Sequence, residues 1–175
     1  MNDTLVTIIA IFIAAILMFV FPLMTIADRN DDITQQAVQQ ETVEFVDKVR
    51  NVGAITQADL TEYKEKLSAL DHTFDTSIEV KVKDDNVGKK TTWTTSSVVG
   101  ENVYYSIYTE AIEEQIYGSA GKYPLKEGDI VSVSSVNTDT TIAQSLRNAF
   151  YAITGKGTYQ ISGSHAGVVQ NNGTH

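Results

Sequence analysis

Residues Leu5 to Ala27 read LVTIIAIFIAAILMFVFPLMTIA, twenty-three positions without one charge. A helix of that length reaches roughly 34 Å, enough to cross a hydrocarbon core of about 30 Å. Backbone amides in lipid must bond within their own segment, so the run is expected to be helical. Pro22 stands inside it, deleting one helical donor and crowding the carbonyl four residues back. Membrane helices tolerate such a proline, and the plainest reading is a single-pass anchor. A removable secretory signal fits less well, because Met1-Asn2-Asp3-Thr4 offers no basic residue and no clear small-x-small cleavage site follows the run. The segment is therefore expected to stay on the protein. Beyond it, Arg29 is set among Asp28, Asp31 and Asp32. With no basic cluster to hold the remainder in the cytoplasm, its translocation is the expectation.

Working outward, Val38, Thr42, Phe45, Val46, Val49 and Val52 recur at helical spacing, with Gln, Glu, Asp and Lys opposite. Gly53 is placed to end that helix in a left-handed conformation, with Lys48 and Arg50 near its negative end. The DRNDD seam at 28–32 allows either two helices or one rod, and nothing in it is a strong breaker. One rod from Leu5 to Val52, roughly 70 Å long, is favoured. The chain then divides into an N-terminal helix over 1–53 and a head over 54–175.

Within the head, Thr56-Gln57-Ala58-Asp59 has the form of a helix start, and Leu60, Tyr63, Leu67 and Leu70 follow on one face. Asp71-His72-Thr73 is a turn. Ile78, Val80 and Val82 alternate with charged residues as in a half-buried strand. Asp84 to Gly88 reads as a loop and Thr91 to Val99 as a strand. Asn102 to Tyr117 carries both periodicities, and its length and glutamates favour a helix. Gly118, Gly121 and Pro124 mark a loop. Ile130 to Val136 reads as a strand, and Thr138-Asp139-Thr140 offers a cap for a helix with Ile142, Leu146, Ala149, Phe150 and Ile153 on one face, closing at Gly155. Tyr159 with Ile161, and Ala166 to Val169, suggest further strands, and the tail NNGTH is expected to fray. The fold class is α+β, a long apolar helix carrying a small head with an antiparallel sheet.

Composition narrows the function. The 148 residues after Ala27 suffice for one domain. A net charge of -9 argues against nucleic acid and against anionic lipid head groups. The absence of cysteine removes disulfides, thiolate metal sites and covalently attached haem. His72, His165 and His175 are far apart and read as surface or loop residues. No G-x-S-x-G elbow is present, and Gly155-Lys156-Gly157 lacks the rest of a phosphate loop. The acidic clusters at 28–32 and 84–86 fit no EF-hand and read as solvated acid. No catalytic residue, cofactor or metal is expected, and the chain is not expected to be an enzyme.

This layout resembles the type IV pilin-like superfamily, and within it the tight-adherence (Tad) pseudopilin-like proteins. The stretches FVDKVRNVGAITQADLTEYKEKL and YPLKEGDIVSVSSVNTDTTIAQSL carry the likeness beyond the apolar helix. The resemblance implies a subunit that is anchored in the cytoplasmic membrane before assembly. It then polymerises through the same helix into an adhesive filament at the cell surface, with pilus or secretion machinery as partner. It also implies an assembly face bearing Leu5, Ile9, Phe12, Ile16 and Phe19, with Pro22 allowing local unwinding. Family members place a glutamate near the mature N terminus to neutralise a neighbour's amine; here only Asp3 could serve, the alternative being a hydrated flank. They also carry a basic leader, which is not seen ahead of Met1. A non-polymerising, membrane-anchored component of a Tad or secretion apparatus is the alternative. A tethered enzyme or binding domain would require a polar pocket with a perturbed acid, base or metal.

Overall fold

The computed structural model of the chain describes residues 2–83, 104–151 and 160–173. Helix α1 runs unbroken over Asn2–Val52, 51 residues, which is about 77 Å at the usual rise. Pro22 lies inside it, so the Met18 carbonyl loses its usual donor while the helix continues around it. Gly53 ends the helix with φ +75°, its amide bonded to the Val49 carbonyl at 2.8 Å. A Cβ there would lie 2.1 Å from the Asn171 carbonyl oxygen, so conformation and space both require glycine.

The head follows as β1 (Ala54–Thr56), α2 (Gln57–Ser68), β2 (Phe74–Lys83), β3 (Tyr104–Tyr108), α3 (Thr109–Gln115), a π-helical turn (Ile116–Ala120), β4 (Lys122–Pro124), β5 (Ile130–Asn137), α4 (Ile142–Tyr151) and β6 (Ser162–Val168). One sheet has the order β3-β2-β5-β6, and β1 pairs with β4; every pairing is antiparallel. The fold is therefore α+β with an antiparallel sheet. Its core joins Val38, Phe45, Val46 and Val49 of α1 to Leu60, Tyr63 and Leu67 of α2 and to Ile78, Val80, Val131 and Val133 of the sheet. A polar thread crosses that core. The Tyr63 hydroxyl bonds both Thr42 and Ser135 at 2.8 Å, and Ser135 bonds Thr76 at 2.9 Å. Among the described residues, no buried side-chain hydroxyl is without a partner, as burial demands.

Several expectations need correction. Residues 104–108 form a strand, not the start of a helix over 102–117. The alternation there is satisfied by pairing with β2, from Glu79↔Tyr108 to Lys83↔Tyr104. The helix starts only at Thr109, whose hydroxyl accepts the Ile78 amide at 2.7 Å. Lys122–Pro124 is a strand, not a loop, because β1 supplies its partner. Ile161 and Ala166 belong to the neighbourhood of one strand, β6, not two. Val52 is exposed, since Gly53 turns the chain beside it. The tail is held as far as Gly173, which bonds Leu125 at 2.9 Å, while Asn172 accepts the Glu127 amide at 2.8 Å. The expected loop from Asp84, the strand over Thr91 to Val99, and Ile153, Gly155, Tyr159 and His175 lie outside the described residues.

Candidate functional site

The first half of α1 is bare. Leu5, Ile9, Phe12, Ile16 and Phe19 are all exposed, and so are Val6, Ile8, Ile11, Ile13 and Met18. Their most apolar window has a mean hydropathy of 2.9, with none of it buried in the head. The exposed apolar residues lie on every side, which marks a helix made for lipid or for the centre of a bundle rather than for one protein face. The two threonines near its ends cause no difficulty, because Thr7 and Thr25 donate to the carbonyls of Asp3 and Phe21 at 2.8 and 3.0 Å. One such helix is compatible with a membrane anchor. Asp3 is exposed at its far end, about 37 Å along the axis from Asp28.

The second half is gripped by the head along its length. Gln35 and Gln39 cover the outer edge of β6. The Ser162 amide donates to Gln35 Oε1 at 2.8 Å, and Gln35 Nε2 returns a bond to the Ser162 carbonyl. Gln39 does the same for Ser164, at 3.1 and 3.0 Å. Each side-chain amide carries the donor and acceptor of a peptide group, so together they act as a missing strand. The spacing fits, since four helical residues rise about 6.0 Å and two strand residues about 6.7 Å. Helix and strand can approach because Gly163 faces them; a Cβ there would sit 2.8 Å from the Val38 carbonyl oxygen and from Thr42.

Between the two halves lies a collar. Arg147 of α4 donates through Nε to Asp28 at 3.0 Å, and Thr141 donates to Asp31 at 2.8 Å. Asp31 is 3 % exposed, so this acidic seam is a docking seam and not the solvated patch its composition suggested. Thr141, rather than Thr138 to Thr140, caps α4. Its hydroxyl accepts the Gln144 amide and its amide donates to Gln144 Oε1, both at 3.1 Å, a capping box. A groove of about 660 Å³ runs under the collar, with Leu23, Ile26, Ala27, Ile142 and Leu146 below and Asp71, His72 and Asp139 above. His72 bonds Asp139 at 3.1 Å. Partial burial pushes the Asp139 carboxyl up, but the His72 bond and charge outweigh it and hold it below the usual value.

A second cleft, of about 240 Å³, separates α1 from α2. Lys48 bridges Asp59 at 2.7 Å and Glu62 at 3.0 Å, and Lys66 reaches Glu41 at 3.0 Å. Burial raises the Asp59 carboxyl, yet hydrogen bonds from Lys48 and Thr56 overcome that and leave it lowered. The cleft is an ion-paired seam whose cations and acids satisfy one another. His165, on β6, lies 4.0 Å from Asp47, far from His72 in the sheet. Among the described residues, no group of three or more His, Asp or Glu could hold a metal ion. The collar was missed from sequence because Asp28 and Asp31 look like any polar flank; the capping pattern Thr141-x-x-Gln144 was its one visible signal.

No protein-family model, no curated protein and no solved structure matches the chain.

Proposed function

We propose that the chain is a structural subunit of a type IV pilus-like, Tad-like filament, held in a cytoplasmic membrane by the first half of α1 and polymerised through that same half at the cell surface. One observation carries the reading: a single unbroken helix is buried in the head over its second half and bare on all sides over its first. Each large apolar side chain left in water forgoes about 1.5–3 kcal/mol, so the bare half forgoes tens of kcal/mol unless covered. Lipid covers it in the membrane. Outside the membrane only neighbours on every side can do so, and sister helices of the same kind form such a bundle. Leu5, Ile9, Phe12, Ile16 and Phe19 then pack against copies, with Asp3 at the register-setting end and Pro22 as the place where the helix yields. The acidic heads stay outside.

Electron microscopy of material sheared from expressing cells tests this. Rods whose diameter matches a helical core ringed by heads are expected, and their consistent absence overturns the reading. A second reading, a stationary membrane-anchored component, draws on the collar, which fixes the head at one height above the bare helix. The two separate on Pro22→Ala: filament growth falls under the first, while membrane retention as a discrete oligomer is unchanged under the second.

A further inference from the structure

We infer that α4 and the groove beneath it lie in the lipid–water interface, where they seat the head on a zwitterionic bilayer during the membrane stage. The inference rests on the membrane stage of the function proposed above and adds a second lipid contact, from an element distant in sequence. Its basis is the height at which α4 is fixed. Thr141 is tied to Asp31 and Arg147 to Asp28, so α4 descends along α1 toward the bare half as it runs. Leu146 thereby shares a groove with Leu23, Ile26 and Ala27 at the top of the apolar run. That run spans roughly 34 Å against a hydrocarbon core of about 30 Å, which places its last turn in the head-group layer.

The exposed side chains agree with that placement. Ile142 is 75 % exposed and Ile26 67 %, and they line the same groove, so exposed apolar side chains of α1 and of α4 border one space. Above them the wall turns polar, with Asn30, Asp71, His72 and Asp139. An apolar floor under an acidic rim is the polarity profile of the interface itself, and short amphipathic helices settle there with their apolar side turned to the acyl chains. Carboxylates at the rim favour the cationic end of a zwitterionic head group. The basic side chain of α4, Arg147, is already engaged by Asp28, and exposed Arg29 stands among Asp28, Asp31 and Asp32, so the seam offers anionic lipid no net positive charge.

The chain has no cysteine, which makes a single introduced thiol a unique label site. Ile142→Cys, Phe12→Cys and Thr61→Cys would each carry an environment-sensitive fluorophore on the full-length protein in phosphatidylcholine vesicles at high lipid-to-protein ratio. Nitroxide lipids then quench from the head-group region or from mid-chain. The label at Phe12 is expected to be quenched from mid-chain, and the label at Ile142 from the head-group region severalfold more than the label at exposed Thr61. Replacing a portion of the lipid with phosphatidylglycerol is expected to leave the Ile142 quenching unchanged or reduce it. If Phe12 is quenched while Ile142 behaves like Thr61, the interfacial seat is overturned and the anchor stands. If Phe12 escapes quenching as well, the membrane reading falls with it. Shielding of Ile142 that grows with protein-to-lipid ratio and ignores the quenchers assigns the groove to a second copy and overturns the lipid seat.

Discussion

The two halves of α1 share one backbone and differ in what surrounds them. From Val38 to Val49 the buried positions are Val38, Thr42, Phe45, Val46 and Val49, a single stripe set against the sheet and α2. From Leu5 to Phe19 the apolar positions cover the whole circumference and all stand exposed. A stripe belongs to a partner on one side; a full circle belongs to a medium or a bundle. Helical propensity is thus common to both halves, and the pattern around the axis decides which half the head keeps. The collar at Asp28 and Asp31 is where one pattern gives way to the other.

The largest expected effect exploits that difference directly, with the same substitution in each half. Val46→Asp places an unpaired carboxylate in a fully buried site, a cost of several kcal/mol against a typical total stability of about 5–15 kcal/mol. The head is expected to lose its cooperative melt by circular dichroism. Ile13→Asp instead leaves that melt unchanged, because Ile13 stands exposed and takes no part in the core. At the centre of the span it costs about 2.5–3.5 kcal/mol of membrane insertion, seen as protein released from the membrane fraction by carbonate. A fall in the head's melting temperature on Ile13→Asp would break the comparison, by showing that the halves are energetically coupled across the collar.

A middle-sized effect tests how the head holds its half. Gln35→Leu and Gln39→Leu each strip an amide and a carbonyl of β6 of their partners, at about 1–3 kcal/mol where the site is shielded from water. Gln35 is expected to matter more, because its bonds to Ser162 are partly buried and those of Gln39 to Ser164 are exposed. Hydrogen exchange should accelerate at the Ser162 amide in one variant and at the Ser164 amide in the other. Unchanged protection at both would mean that packing at Gly163, not the glutamine pair, secures β6.

The extent to which the sequence disclosed this architecture follows the range of the interactions involved. The rod, the Thr56 cap, β2 and β5 were legible, because each is written in local periodicity or in a capping pattern a few residues long. Residues 104–108 were not, since the choice of strand over helix is made by β2, more than twenty residues earlier in the chain. The three-residue strands β1 and β4 exist only as each other's partners. Gln35 and Gln39 read as the polar side of an amphipathic helix, because nothing in their neighbourhood announces an open strand edge at Ser162. Likewise Asp28 and Asp31 acquire their role from Arg147 and Thr141, more than a hundred positions away. From Leu5 to Phe19 the exposed residues could be read from composition alone, since none of the described residues of the head covers them.

The smallest expected effect is a difference in pH response between the halves. Asp59 and Asp139 are both held below the usual carboxylate range, burial being outweighed at Asp59 by Lys48 and Thr56 and at Asp139 by His72. A carboxyl whose folded pKa is depressed contributes stability that is fully present above its unfolded value, about 3.9. That contribution is lost as pH falls through the lower, folded value. Melts of the detergent-solubilised protein should therefore hold steady from neutral pH to about 5 and decline below about 4. Asp59→Asn should flatten part of that decline, and Asp139→Asn less, since Asp139 is the more exposed of the two. Leu5 to Ala27 contains no titratable side chain, so membrane association measured over the same pH range should not move. An acid-induced release from vesicles, in parallel with the melt, would break the comparison, by showing that retention depends on the folded head and not on the bare half of α1 alone.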